Sequence, residues 1–292
     1  MPLDTSTTYR LTRLRLDGRR WNELRLMQAQ ISTSPASSGS SYVTMGNTVV
    51  IATVHGPAEL KRSETGGVSG SNEGASVIVG VNIAGFSGID RKKSERQSQA
   101  DLSLALRDAF QPHLHTHIYP HSTISLHVSV LSSDGSLLAA CINACTLALV
   151  DAGIPMPGLL TSCTVGMSGR ASTPADPSTK VSSSIAGINE SLDPLLDLSL
   201  PEEQELPFMT VATTTPLPSS EDEESEEEML SIVQMESGVH VSYLETLFAV
   251  GIDGCKQVRD ILNGVIKKAG KRVLEGEGVV KVGGVGEDVM VE

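Results

Sequence analysis

Aromatic residues are scarce in this chain. Four Phe, four Tyr and one Trp make up 3% of 292 residues, so the core has to be aliphatic, and a sheet paved with aromatics for stacking nucleobases is excluded. Long apolar runs are missing as well. The longest, 139–150, is interrupted by Asn143 and Thr146 and falls short of the roughly 18 to 20 apolar residues of a membrane helix, so no membrane partner is expected. The opening residues Met1-Pro2-Leu3-Asp4-Thr5 carry no apolar stretch behind a basic start. This predicts no secretory leader and a reducing compartment, in which the four cysteines stay free thiols. GxSxG, Walker A, GxGxxG and HExxH patterns are all absent, which leaves the corresponding hydrolase, nucleotide and zinc-protease classes without support and gives no reason to expect a cofactor.

What is present is a chain with 39% hydrophobic and 20% charged residues, enough to bury a substantial core. Its formal charge of −13 is unevenly placed. Up to Val150 there are 13 Lys and Arg against 11 Asp and Glu, and from Asp151 onward 9 against 24. Much of the excess lies in 221–228, seven carboxylates in eight residues, whose mutual repulsion predicts a solvated surface loop.

Along the chain, the Asp17-Gly18 turn precedes a short basic stretch, and residues 27–33 alternate as a strand does. The runs 41–45 and 48–54, separated by Gly46-Asn47, predict a hairpin. A third β run over 75–83 completes an opening meander. Leu102, Leu104, Leu106, Ala109 and Phe110 then recur at helical spacing over 94–114, with Pro112 closing the pattern. Ile124, Leu126, Val128 and Val130 alternate with polar residues as a strand with one buried face. After the turn Asp134-Gly135-Ser136, which can cap a helix, residues 137–150 are apolar enough for a helix buried on most sides. Strands follow near 162–167, 208–214 and 229–235. Leu244, Leu247, Phe248, Cys255, Val258, Ile261, Leu262 and Val265 then mark a long amphipathic helix ending near Lys271-Arg272. The reading is α+β, with mixed strands and packed helices.

Three groups invite a chemical reading. His113, His115, His117 and His121 alternate within ten residues, as imidazoles sharing a metal on one strand face would, but the two flanking prolines mark a connector and no metal is expected. Cys141 and Cys145 lie one turn apart on the buried helix and are expected to serve as core packing. The basic clusters Lys61-Arg62 and Arg91-Lys92-Lys93 with Arg96 suit the phosphates of a single nucleic-acid strand.

Three ordered motifs carry a specific resemblance. Residues 14–25 (LRLDGRRWNELR), residues 39–57 from Gly39-Ser40-Ser41-Tyr42 to Val54-His55-Gly56-Pro57, and Asp134-Gly135-Ser136 leading into 143–156 (NACTLALVDAGIPM) resemble the RNase PH family over about residues 10 to 272. The resemblance implies the RNase PH fold, of ribosomal protein S5 domain 2 type. It implies a polar arm over 1–13, a single domain over 14–273 with disordered insertions near 168–188 and 216–228, and a flexible tail over 274–292. It further implies a ring of six related subunits around an RNA channel, as in the eukaryotic RNA exosome. The expected partners are single-stranded RNA, other ring subunits, first an unlike one of the ribosomal RNA-processing protein 45 type, cap proteins and a docked nuclease. The expected locations are nucleus, nucleolus and cytoplasm.

In the phosphorolytic members of that family, inorganic phosphate attacks the last linkage of an RNA 3′ end. This needs a phosphate cradle with hydroxyls and an arginine fork, and a carboxylate pair for a divalent metal or for acid catalysis. By resemblance the cradle falls at Ser136, Leu137 and Leu138, where an isobutyl group supplies neither donor nor charge. One carboxylate position falls on Asp197 and the other at about Phe208, with Gln204-Glu205 nearby. The site is therefore expected to be vestigial, with Ser136 and Asp197 its remnants and no catalytic or metal-binding residue. An active phosphorolytic exoribonuclease, using an arginine from a partner, is the alternative. By the same resemblance Lys61, Arg62, Arg91, Lys92, Lys93 and Arg96 match basic positions that line the RNA path.

Overall fold

Two sheets share one central helix. The computed structural model describes residues 9, 14–59, 74–87, 95–168, 193–214, 228–235, 238–239 and 241–274. The first sheet holds β1 (Met27–Ile31), β2 (Gly39–Met45), β3 (Thr48–Glu59), β4 (Ser76–Ile83) and β5 (Ser122–Ser132) in the order β1-β2-β3-β5-β4. The second holds β6 (Leu160–Met167), β7 (Pro194–Leu196), β8 (Phe208–Thr214) and β9 (Met229–Met235) in the order β7-β6-β8-β9. The helices are α1 (Glu95–His113), α2 (Leu137–Asp151), the short α3 (Leu200–Glu205) and α4 (Val241–Leu274).

The opening strands form the predicted hairpin: β2 and β3 pair antiparallel with Met45 opposite Thr48, so Gly46 and Asn47 make the two-residue turn, and Gly46 has the positive φ such turns demand. The meander ends there. β4 does not pair with β3; it runs parallel to β5 at the sheet edge, because α1 intervenes between the two strands as a crossover connection. The sheet is mixed for that reason.

α2 carries twelve consecutive buried residues, Leu138 to Leu149. Such a helix has no polar face to offer water, and it packs against β2 and β3 on one side and β6 on the other. Burying each Leu or Ile side chain contributes about 2 kcal/mol, so α2 is the main source of cohesion between the sheets. Polar side chains within it are matched to strand backbone. Asn143 Nδ2 donates to Ser162 O at 3.0 Å while its Oδ1 accepts from Ser162 N at 2.9 Å, and Thr146 Oγ1 donates to Leu160 O at 2.7 Å. Cys141 and Cys145 are fully buried in this core, and Cys163 and Cys255 are buried where α4 meets the second sheet. Burial pushes the Cys141 thiol up to about 12 and the Cys255 thiol up to about 11.

The histidine run does not form a strand. His113 closes α1, is buried, and bonds through Nε2 to Gly158 O at 2.9 Å, while His115 precedes a 3-10 turn over Thr116–Ile118 and His117 lies within it. Burial lowers the His113 pKa. Among the described residues no group of three His, Cys, Asp or Glu is placed to hold a metal, and no helix is long and apolar enough to cross a membrane. The expected insertions at 168–188 and 216–228 and the tail lie outside the described residues, apart from their edges.

Candidate functional site

The turn that leads into α2 sets the site. Gly135 (φ 81°) and Ser136 (φ 54°) are both left-handed. At Gly135 the reason is space, since a Cβ would lie 2.6 Å from Leu198 O and 2.7 Å from Leu200 N. Ser136 has a Cβ and is held there by its hydroxyl. Its Oγ lies 2.9 Å from Asp197 Oδ1 and 3.0 Å from Leu198 O, and it also meets the Thr164 hydroxyl. Ser136 sits at the N-cap position of α2, but its side chain makes no cap hydrogen bond. The capping expected at this turn is replaced by a bond across to the segment 197–198.

Asp197, 1% exposed and itself at positive φ, is the centre of the cluster. Its Oδ1 accepts from Arg25 Nη2 at 2.8 Å, and its Oδ2 from the Arg25 backbone N–H at 2.9 Å. The same guanidinium reaches Asp134 O at 2.6 Å through Nη1 and Gly135 O at 3.3 Å through Nη2, so Arg25 ties the turn before α2 to the loop after β7. Two more arginines close on the Asp197 carbonyl: Arg15 Nη2 at 2.8 Å and Arg19 Nη1 at 3.2 Å. Arg15 also forks onto Glu202, with Nε 2.8 Å from Oε1 and Nη2 on Oε2, in a pair shielded from water. Glu202 in turn accepts from Ser199 N at 2.9 Å at the start of α3.

Burial alone would raise the Asp197 pKa, but the charge of Arg25 and its two hydrogen bonds outweigh burial and hold the carboxyl below its ordinary value. Burial likewise opposes the charge on Arg25, and Asp197 more than reverses it. Glu202 is lowered against its burial by Arg15. Arg19 is lowered by burial and by the neighbouring Arg15 cation. All four therefore stay charged at neutral pH.

The remaining groups at the head of α2 complete the arrangement. Glu203 Oε1 accepts the Ser136 backbone N–H at 2.5 Å, so a carboxylate of the chain lies at the helix N-terminus, where an anion is favoured. Leu138 is buried in the main core and Leu137 is partly buried against it. Neither side chain offers a donor. A divalent metal at Asp197 does not fit, because both its carboxylate oxygens are taken by Arg25 and Ser136 and the guanidinium stands beside them.

The structure thus brings Ser136 and Asp197 together. The short helix α3 places Glu203, one residue before the Gln204-Glu205 pair the sequence pointed to, on the Ser136 amide. Arg15, Arg25, Thr164, Glu202 and Glu203 were not singled out from sequence. Their one available signal was four arginines within eleven residues, 15, 19, 20 and 25, and burial of an arginine cannot be read from its neighbours when its partner lies some 170 positions away. Lys61, Arg62, Arg91, Lys92 and Lys93 lie outside the described residues; Arg96 falls in the first turn of α1, its side chain also outside them.

Comparison with known proteins places this architecture. The profile described as RNase_PH, 3′ exoribonuclease family, domain 1, matches residues 23–155. "Exosome complex component ski6" of Schizosaccharomyces pombe is 35% identical over 265 residues, 89% of this chain and 94% of that protein. "Exosome complex component RRP41 homolog" of Arabidopsis thaliana is 34% identical over 262 residues, again 89% and 94%. The crystal structure of rice (Oryza sativa) Rrp46 superposes with a TM-score of 0.65 at 24% identity, covering 87% of this chain and 100% of that one; the likeness shows a shared fold. With a mixed α+β architecture, a profile match beginning within its first motif and relatives aligned along almost their whole length, the chain belongs to the RNase PH family.

Proposed function

We propose that the chain is a non-catalytic ring subunit of the RNA exosome, which contacts single-stranded RNA in the channel and scaffolds 3′–5′ processing and degradation of ribosomal, messenger and other RNAs. One observation carries the non-catalytic part: the groups that would have to receive phosphate and metal are engaged by the chain itself. Asp197 is locked by Arg25, the Ser136 hydroxyl is turned onto Asp197, and Glu203 lies on the Ser136 amide. An incoming phosphate would meet a carboxylate at the head of α2 and no free cation among the residues just described, because Arg15, Arg19 and Arg25 are all bound inward. The scaffolding part is supported by relatives named exosome components, which align over nearly their full length.

On this reading the chain pairs first with a ribosomal RNA-processing protein 45 type subunit, meets cap proteins and a docked nuclease, and works in nucleus, nucleolus and cytoplasm. Lys61, Arg62, Arg91, Lys92, Lys93 and Arg96 supply phosphate contacts, which are indifferent to sequence and weaken with salt, as a conduit for unrelated 3′ ends requires. The test is to change Lys61 and Arg62 to Glu and assemble the variant with its ring partners and a docked nuclease. Slower decay of long RNA with assembly intact is the expected result. Unchanged RNA protection and decay would remove these residues from the RNA path.

A further inference from the structure

The last part of α4 stands apart in its charge. Residues 261–274 hold four cations, Lys267, Lys268, Lys271 and Arg272, and no carboxylate, in a chain with 35 Asp and Glu against 22 Lys and Arg. All four are exposed, and among the described residues none is paired with a carboxylate. Helical spacing sets Lys271 one turn beyond Lys267 and Arg272 one turn beyond Lys268, so like charges stand in two adjacent columns, an arrangement that weakens a helix. The helix dipole favours cations only in the last turn, which accounts for Lys271 and Arg272 and not for Lys267 and Lys268. A cluster that works against its own helix points to an anion from outside the chain.

Gly264 gives a second, independent sign of such a ligand. At 3.6 residues per turn it lies one turn before the cations, between their two columns. Glycine is disfavoured in a helix interior, and nothing in the described chain calls for it here, since a Cβ at this position would meet no atom within 4 Å. Bare backbone beside the charges lets a ligand approach closely. The opposite side of the helix is anchored by Val258, Leu262 and Val265, buried in the main core, so the strip is carried on a fixed element. Asp260, one turn before Gly264, ends the positive run. Protein partners are held by aromatic and aliphatic anchors, and the face that runs from Gln257 over Gly264 to the four cations exposes none; phosphates need only the charges. We propose that this end of α4, with Gly264 between Lys267 and Lys271 on one side and Lys268 and Arg272 on the other, takes the phosphate backbone of single-stranded RNA. The inference rests on the reading of the chain as an RNA-contacting protein and adds to it a second surface, on a different element from the basic clusters near residues 61 and 91.

The test uses the full-length chain, alone and with its ring partners, and reads binding of a labelled oligouridylate by fluorescence anisotropy across a salt series, with polyglutamate as a second probe. Combining Lys267→Ala, Lys268→Ala, Lys271→Ala and Arg272→Ala is expected to weaken RNA binding about tenfold or more at low salt. The slope of log affinity against log salt should become shallower by about three, from roughly 0.7 for each phosphate contact on a single strand. Gly264→Leu keeps every charge and is expected to weaken RNA binding about threefold, with the melting temperature unchanged or raised because leucine suits a helix better. A lowered melting temperature at unchanged RNA affinity would make Gly264 a packing residue and remove it from the strip. Unchanged RNA affinity and salt slope in the fourfold Ala variant would overturn the proposal while leaving the RNA-contacting reading in place. Failure of the wild-type chain, alone and with its partners, to bind RNA would overturn both. Polyglutamate bound more tightly than RNA by the wild type, and lost in the fourfold variant, would assign the cations to an acidic protein segment and also overturn the proposal.

Discussion

Asp197 and Arg25 form the pair on which the site turns, and their coupling separates a structural carboxylate from a catalytic one. Removing one partner of a buried pair strands the other charge. Asp197→Asn is therefore expected to cost about 3 kcal/mol of stability, read from denaturant midpoints, whereas a carboxylate kept only for chemistry would be removed at little cost. The pH dependence follows from the direction of the shift. The fold holds Asp197 and Glu202 below their ordinary values, so their contribution is complete above the unfolded-chain value near about 4 and is lost as pH falls through the lower, folded value. The gap between wild type and Asp197→Asn should stay constant above about pH 5 and close as the solution is acidified below about pH 4. The four cysteines give a second residue-level prediction. All are buried, with thiols raised by that burial, so a thiol reagent at neutral pH should label none in the folded chain and all four in denaturant.

At the scale of elements, β2 and the end of α2 meet too closely to admit a side chain between them. A Cβ at Gly39 would lie 2.3 Å from Ala148 O and 2.4 Å from Ala152 N, and backbone atoms cannot swing aside as a side chain would. Gly39→Ala should cost about 2 to 3 kcal/mol, measured by thermal unfolding. It should also disturb the adjoining bond from Ser40 N to Asp151 Oδ2, which is 2.8 Å long. Most elements were legible because their periodicity was strong: β2 and β3 alternate around a Gly-Asn turn, β8 and β9 fall where expected, and α2 and α4 show continuous and one-sided apolar patterns. β7, with three residues, and α3, with six, were not, since neither is long enough to show a period. The place of β4 was hidden as well. Strand order depends on which connection crosses over, and β4 has the same alternating composition whether it pairs with β3 or β5.

The whole molecule sets what the site can do. Its first motif, residues 14–25, reads locally as a turn and a basic stretch, but in the fold Arg15, Arg19 and Arg25 all point at a loop that follows β7 in the other sheet. Ser136 and Asp197 could be proposed from sequence, Ser136 because it lies in a family motif and Asp197 because the resemblance puts a carboxylate position there. That they are bonded to each other, and that Glu203 is placed on the same turn, required the two sheets to be brought together by α2. The account's central claim is that this arrangement leaves no working phosphorolytic site. The direct measurement is to combine the purified chain with its ring-pairing subunit, supply 3′-extended RNA, magnesium and inorganic phosphate, and analyse the products for nucleoside diphosphates. The account predicts none, with salt-sensitive RNA binding retained. Release of nucleoside diphosphates that is abolished by Asp197→Asn in a variant shown to remain folded would contradict it and make the chain an enzyme.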